Sequence, residues 1–265
     1  MRPLSRPLLA GDSHGDICHF SYLIERAKAD GCDGILHVGD LGYYPNIPVY
    51  AHRLDLLDRW LEAADLWLYF VDGNHCDQWS LAVLPREDSF ARTPWERIVH
   101  IPRGARWTWN GVRYLGLGGA FSIDKNDRSL GLDWFPEEQL TQAEIMRILA
   151  TPPGGIDVMV CHDCPAGIEF RGLIPIRRSD TNRLAVQAVV EHARPKLVVH
   201  GHHHVAHRSR YRSDEQSFAC DVVGLSSNQR FDRVEMEQPG WTPPFCPAHL
   251  WRGSAQPLLV PAVDG

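Results

Sequence analysis

Five short blocks of the chain carry oxygen and imidazole donors, most of them beside glycine: Gly11-Asp12-Ser13-His14, Gly39-Asp40, Gly73-Asn74-His75, His162 and Gly201-His202-His203-His204. Two carboxylates, one amide and several imidazoles make a mixed oxygen/nitrogen set. Such a set suits Mn²⁺, Fe²⁺, Zn²⁺, Co²⁺ or Ni²⁺ and is too rich in nitrogen for Mg²⁺ alone. One ion does not need so many donors. Two ions about 3.5–4 Å apart do, with one carboxylate shared between them. Such a pair can make hydroxide from a bridging water near neutral pH and offset the charge that builds on a phosphoryl group.

Residues this far apart meet only if the fold gathers them, and the flanking sequence says how. Residues 7–10 are apolar and break at Gly11, which suits a buried strand. Apolar residues recur at helical spacing over 17–29, and Gly31 ends that helix. Residues 34–38 form a second strand that stops at Gly39-Asp40. Strand, helix, strand in this rhythm is a βαβ unit with parallel strands. A helix over 49–64, a strand over 66–71 and a brief helix over 77–84 repeat the rhythm. A strand follows at 98–101. Asn110-Gly111 between Trp109 and Val112 marks a hairpin. Residues 116–133 read as a glycine-rich polar loop, Pro136 opens a helical turn, and Thr141 to Glu144 is a capping box. Strands at 156–161 and 197–200 deliver His162 and Gly201 to His204. A connector spans 165–181, a helix 182–193, and 208–212 pairs with 217–224. In parallel α/β sheets the ligand crevice lies beyond the carboxyl ends of the strands. All five blocks sit there.

At 265 residues the chain can bury a large core, and its 44% apolar and 23% charged residues are ordinary for a globular protein. No apolar run is long enough to span a membrane, and the start lacks a signal-peptide pattern, so a cytoplasmic location is expected. A net charge of −6 argues against a surface for polymeric nucleic acid. The seven cysteines, Cys161 and Cys164 among them, read as free thiols rather than a zinc knuckle. Residues 1–237 are expected to form one domain and 238–265 a proline-rich tail. Homo-oligomerisation is compatible with this sequence.

The ordered blocks resemble the D-x-H, GD, GNH, H and GHxH motifs of calcineurin-like metallophosphoesterases, and they cover residues 11–204. The resemblance implies a four-layer α/β/β/α sandwich of two facing mixed sheets flanked by helices. It implies one metal held by Asp12, His14 and His204, a second held by Asn74, His162 and His202, and Asp40 bridging. His75 would orient the phosphate or protonate the leaving oxygen, with Asn74 beside it at the substrate. The cofactors would be two divalent ions, Mn²⁺ first. The family's usual Asp or Glu after GNH is Cys76 here. The GDxxDRG of phosphoprotein phosphatases is missing after Gly39-Asp40. That absence argues against the phosphoprotein phosphatase branch, whereas the short chain and Cys76 after Gly73-Asn74-His75 resemble small bacterial and phage phosphodiesterases, some of which cleave cyclic nucleotides, including 2′,3′-cyclic ones. The substrate expected is thus a small nucleotide phosphoester. A nuclease, a phosphomonoesterase and a non-catalytic scaffold are the competing readings.

Several neighbours have plainer readings. His200 belongs to an apolar strand and is expected in the core, although His200 and His202 could chelate in another register. His37 and His207 read as structural, and Asp16 as a helix cap or a support for a ligand. His203 should point away, and Asp163 either supports a ligand or faces solvent. The arginines within 171–183, Arg171, Arg177 and Arg178 among them, are candidate phosphate clamps. Trp107 and Trp109 read as strand packing.

Overall fold

A computed structural model describes residues 1–170, 177–213, 217–227 and 258–259, the backbone alone at 177–179 and 258–259. The first half contains β1 (Pro7–Ala10), α1 (Ile17–Ala29), β2 (Gly34–His37), α2 (Pro48–Ala63), β3 (Trp67–Val71), α3 (Gln78–Ala82), β4 (Arg86–Glu87), β5 (Phe90–Arg92) and β6 (Ile98–Ile101). The second contains β7 (Arg106–Trp109), β8 (Val112–Leu117), α4 (Gln142–Leu149), β9 (Val158–Cys161), α5 (Arg177–Ala193), β10 (Leu197–His200), β11 (His207–Arg212) and β12 (Ala219–Gly224). A short β13 (Leu258–Leu259) closes the series.

The strands form two mixed sheets, ordered β13-β1-β2-β3-β6-β5-β4 and β11-β12-β10-β9-β8-β7. Strands β1, β2, β3 and β6 run parallel, and β5 and β13 pair antiparallel at either side. In the second sheet β8, β9, β10 and β12 run parallel, with β7 and β11 antiparallel at the edges. Alternate residues of each strand face opposite sides, so each sheet buries two faces. Leu9, Leu36, Val38, Tyr69 and Val71 meet Trp107, Trp109, Tyr114, Val160 and Val199 between the sheets. The outer face of the first sheet packs on α1 and α2 through Leu8, Ile35 and Phe70. That of the second packs on α4 and α5 through Leu115, Met159 and Val198. The result is the expected four-layer α/β/β/α arrangement, with Trp107 and Trp109 in the central core.

Local chemistry fixes the elements. Asp16 caps α1, its carboxylate accepting from the backbone of Cys18 and His19, and Phe20, Leu23 and Ala27 face the sheet. Thr141 and Glu144 complete the capping box of α4. At the β7–β8 turn Asn110 and Gly111 both take positive φ, 47° and 77°, as a two-residue hairpin with matching twist requires.

Three readings differ from the structure. Helix α5 starts at Arg177, inside the expected connector: Arg177, Arg178, Ser179, Asp180 and Thr181 are all polar and offer no apolar period to read. Strand β8 runs on to Leu117, because Gly116 lies in register with Val160 rather than in a loop. The β4–β5 hairpin was not expected, being short and largely exposed. The expected domain boundary at 237/238 lies outside the described residues. From the tail, Leu258 and Leu259 pair with Leu9 and Leu8. Among the described residues no helix is long and apolar enough to cross a membrane.

Candidate metal centre

The carboxyl ends of β1, β2 and β3 deliver Asp12, His14, Asp40, Asn74 and His75 from one sheet. Those of β9 and β10 deliver His162, His202 and His204 from the other. Asp12, His14, Asp40, His202 and His204 all take left-handed φ, between 49° and 66°. That region costs a non-glycine residue about 1 kcal/mol or more and persists only where surroundings impose it. Here backbone bonds do so: Asp12 N donates to Gly39 O at 3.0 Å and His14 N to Asp40 O at 2.8 Å. Two glycines are needed for space alone. A Cβ on Gly73 would lie 2.1 Å from Asp40 Oδ1 and 2.7 Å from His162 Nε2. One on Gly201 would lie 2.2 Å from Asp12 Oδ2.

The donor atoms converge in two linked groups. In the first, His14 Nε2 is 3.2 Å from His204 Nε2, and His204 Nε2 is 3.5 Å from Asp12 Oδ1. In the second, His162 Nε2 is 3.1 Å from Asn74 Oδ1 and 3.3 Å from Asp40 Oδ1. Asp40 joins them, its Oδ2 lying 3.8 Å from His14 Nε2. The ring of His202 lies 5.2 Å from that of His162, centroid to centroid. His202 also has Asp163 and His203 within ligand-group reach, while its backbone N–H donates to Asp12. His75 groups with His14 and Asp40. Asp12, His14, His204, Asp40, Asn74, His162 and His75 thus share these groups, while His202 lies beside them with its donor grouped with Asp163 and His203.

Electrostatics match a cation site. Burial alone would raise the pKa of Asp40, but His162, His75 and His14 hold it well below the usual carboxylate value. Burial disfavours imidazolium at His162, yet Asp40 raises its pKa to about 9. Burial pushes His202 down to about 3 and His75 down to about 4, Asp163 and Asp40 respectively opposing. The buried carboxylates therefore recruit positive charge from the imidazoles around them. Divalent ions would supply that charge and leave the imidazoles neutral. The donor chemistry fits: His162 turns Nδ1 to Val38 O at 2.9 Å, which leaves Nε2 as the ligating nitrogen.

Surrounding residues fix these donors. Asn74 Nδ2 donates to Ser122 Oγ at 3.1 Å, and Ser122 Oγ donates to Glu138 Oε2 at 2.5 Å. Arg103 in turn donates to the carbonyls of Glu137 and Glu138 and to Asp72 Oδ2 at 2.7 Å. Asp163 is fully buried, taking bonds from Cys164 N, Asn182 Nδ2 and His203 Nε2. His203 thus bonds Asp163 while its ring stays 4.9 Å from that of His202, centroid to centroid. His200 Nε2 meets His207 Nε2 at 2.9 Å in a buried pair, and His37 bonds Ser13. Cys76 is buried and its thiol pushed up to about 12, while Asp77 caps α3, so neither orients His75. Arg128 touches His75 instead: its Nη2 lies against His75 Nε2 and its Nη1 donates to Asn74 O at 3.2 Å.

Of the arginines considered as clamps, Arg183 is the one with a described side chain. Arg171 and the side chains of Arg177 and Arg178 lie outside the described residues. Arg183 is buried and donates to the carbonyls of Pro165 and Ile168. Sequence reasoning missed Arg128, Ser122 and Glu138. All three lie in or just beyond the polar segment 119–135 that carries no motif; Ser122 and Arg128 reach Asn74 and His75 across 48 to 54 residues of sequence, and Glu138 acts through Ser122.

Comparison with known proteins agrees with this geometry. A family model described as Calcineurin-like phosphoesterase matches residues 5–206. A search of the curated proteins finds no match. Among solved structures, a dimetal phosphatase from Danio rerio is 12% identical with TM-score 0.52, covering 85% of this chain and 88% of that one. TT1561 of Thermus thermophilus is 16% identical with TM-score 0.48, covering 84% and 90%. At 12% identity the Danio rerio structure bears on fold alone. The family match spans every donor block, from Asp12 to His204, and those blocks meet in space in the order the motifs require: the chain belongs to the calcineurin-like phosphoesterase family.

Proposed function

We propose that the protein is a metal-dependent phosphodiesterase acting on a small nucleotide, with cyclic nucleotides, 2′,3′-cyclic ones included, as the leading substrates. The observation that carries this reading is the pair of donor groups linked through Asp40. Asp12, His14 and His204 would hold one ion, Asn74, His162 and His202 the other, and Asp40 both. Two such ions supply Lewis acidity, which activates water and neutralises charge on phosphorus. Mn²⁺ is the ion we expect, given the mixed oxygen/nitrogen donors. His75, beside His14 and Asp40, orients the phosphoryl group or protonates the leaving oxygen. A cytoplasmic location is supported by the six described cysteines, all free.

A panel on Mn²⁺-loaded protein tests this, comparing phosphomonoesters, bis-p-nitrophenyl phosphate, and 2′,3′- and 3′,5′-cyclic nucleotides. Diester turnover that chelator abolishes and Asp40→Ala removes is the expected result. Turnover of monoesters alone would correct the substrate class. Metal binding without turnover of any ester would leave a scaffold. Activity on polymers with a steep salt dependence would instead indicate a nuclease.

A further inference from the structure

Two nitrogen–nitrogen contacts at the centre differ in kind. His14 Nε2 and His204 Nε2 face each other at 3.2 Å, and each can present a lone pair, so a cation satisfies both. Arg128 Nη2 also lies against an imidazole nitrogen, His75 Nε2. A guanidinium has no lone pair to offer, so there the Arg128 N–H donates to the imidazole lone pair and no cation can bridge the contact. An arriving anionic oxygen can take that N–H in place of the imidazole.

The setting favours such an oxygen. The Arg128 side chain is only 6% exposed, so its charge is largely removed from water. Asp124, itself 47% exposed, holds it at 2.7 Å, and the carbonyls of Asn74 and Asp133 take Nη1. The guanidinium is thereby fixed beside a ligand residue and a phosphate-facing histidine. Two divalent ions would bring twice the charge that Asp12 and Asp40 offset. A further buried cation at that place is unfavourable on its own and favourable once an anion arrives.

We propose that Arg128 and His75 form an anion subsite that takes a nonbridging oxygen of the phosphoester. Arg128 turns its Nη2 N–H from the His75 lone pair to the oxygen, and the released imidazole, shifting its own proton from Nδ1 to Nε2, donates from Nε2 as the second partner. This rests on the phosphoesterase reading and adds to it the residue that anchors the phosphoryl group. It also accounts for the missing carboxylate after Gly73-Asn74-His75: the partner of His75 is a cation from residue 128, supplied by a different loop.

The test is calorimetric titration of inorganic phosphate into Mn²⁺-loaded protein, with bound metal measured in each sample. Arg128→Ala should bind phosphate about tenfold to hundredfold more weakly at unchanged metal content, the loss typical of one charge-assisted hydrogen bond. Arg128→Lys should recover part of the affinity, because it keeps the charge without the fork. Equal phosphate affinity in wild type and a folded, metal-loaded Arg128→Ala would overturn the proposal. If Arg128→Ala does not fold, Arg128→Gln, which keeps most of the stem, is judged by the same criterion. Failure of the wild type to bind phosphate at all would remove the phosphoesterase reading too, a different result from equal binding by both proteins.

Discussion

Replacing Ser122 by alanine should loosen the centre without touching a ligand. Glu138 takes the backbone N–H of Ser122 at 2.9 Å and its hydroxyl at 2.5 Å. Because that hydroxyl donates to the carboxylate, its oxygen is left to accept, and Asn74 must offer it the NH₂ of its amide. The amide oxygen is thereby aimed at His162 Nε2, 3.1 Å away. Ser122→Ala removes both bonds and leaves a buried amide donor and a carboxylate oxygen short of a partner. At about 1–3 kcal/mol for each of these two groups, the folded state should lose about 2–6 kcal/mol. Asn74 is also free to turn its NH₂ toward the ion, and loss of an outer hydrogen-bond partner typically weakens metal affinity about 10- to 100-fold. Denaturant unfolding of metal-free protein gives the first quantity, and Mn²⁺ titration gives the second. Thr141→Ala is the control: it breaks the capping box of α4 at a cost of about 1 kcal/mol and should leave metal affinity unchanged. A Ser122→Ala protein that binds both equivalents as tightly as wild type would refute the reasoning.

Two further substitutions probe the same framework. Gly73→Ala puts a methyl 2.1 Å from Asp40 Oδ1, so metal content and turnover should both collapse while secondary structure persists; circular dichroism with metal analysis checks this. Asp72→Asn removes the buried partner of Arg103 and leaves it only the partly exposed Glu144, so it should cost at most about 3–5 kcal/mol in denaturant unfolding. Burial would raise the Asp72 pKa, but Arg103 and His100 hold it below the ordinary value. A depressed carboxylate contributes stability above its unfolded pKa, about 3.9, and loses it as pH falls toward the folded value. Wild type should therefore lose this increment below about pH 4, and Asp72→Asn should lack that portion of the acid-side slope.

What was legible in the sequence was local. Each donor block ends an apolar run, so strand-end placement and the layered fold followed from period and punctuation. The Asn110-Gly111 turn and the capping box at Thr141 were readable for the same reason. What was not legible is contact between segments. Nothing near Ser122 or Glu138 in sequence announces Asn74, and only folding brings Arg128 to His75. The start of α5 was missed because its first turn is polar throughout. Among the arginines that sequence offered for phosphate, Arg183 bonds backbone carbonyls instead, since charge alone does not tell a clamp from a structural residue.

The centre straddles the seam between the sheets: Asp12, His14, Asp40 and Asn74 come from the first, and His162, His202 and His204 from the second. Bound ions would therefore act as rivets through two plates. At a hundredfold excess over its dissociation constant one ion adds about 2.7 kcal/mol to the folded state, so chelation should lower the melting temperature. Apart from β13, which returns to pair with β1, the plates are also contiguous in chain order, joined by residues 102–105 between β6 and β7. A protein nicked there would come as two pieces, neither with a full set of donors. Divalent metal should then govern whether they stay together.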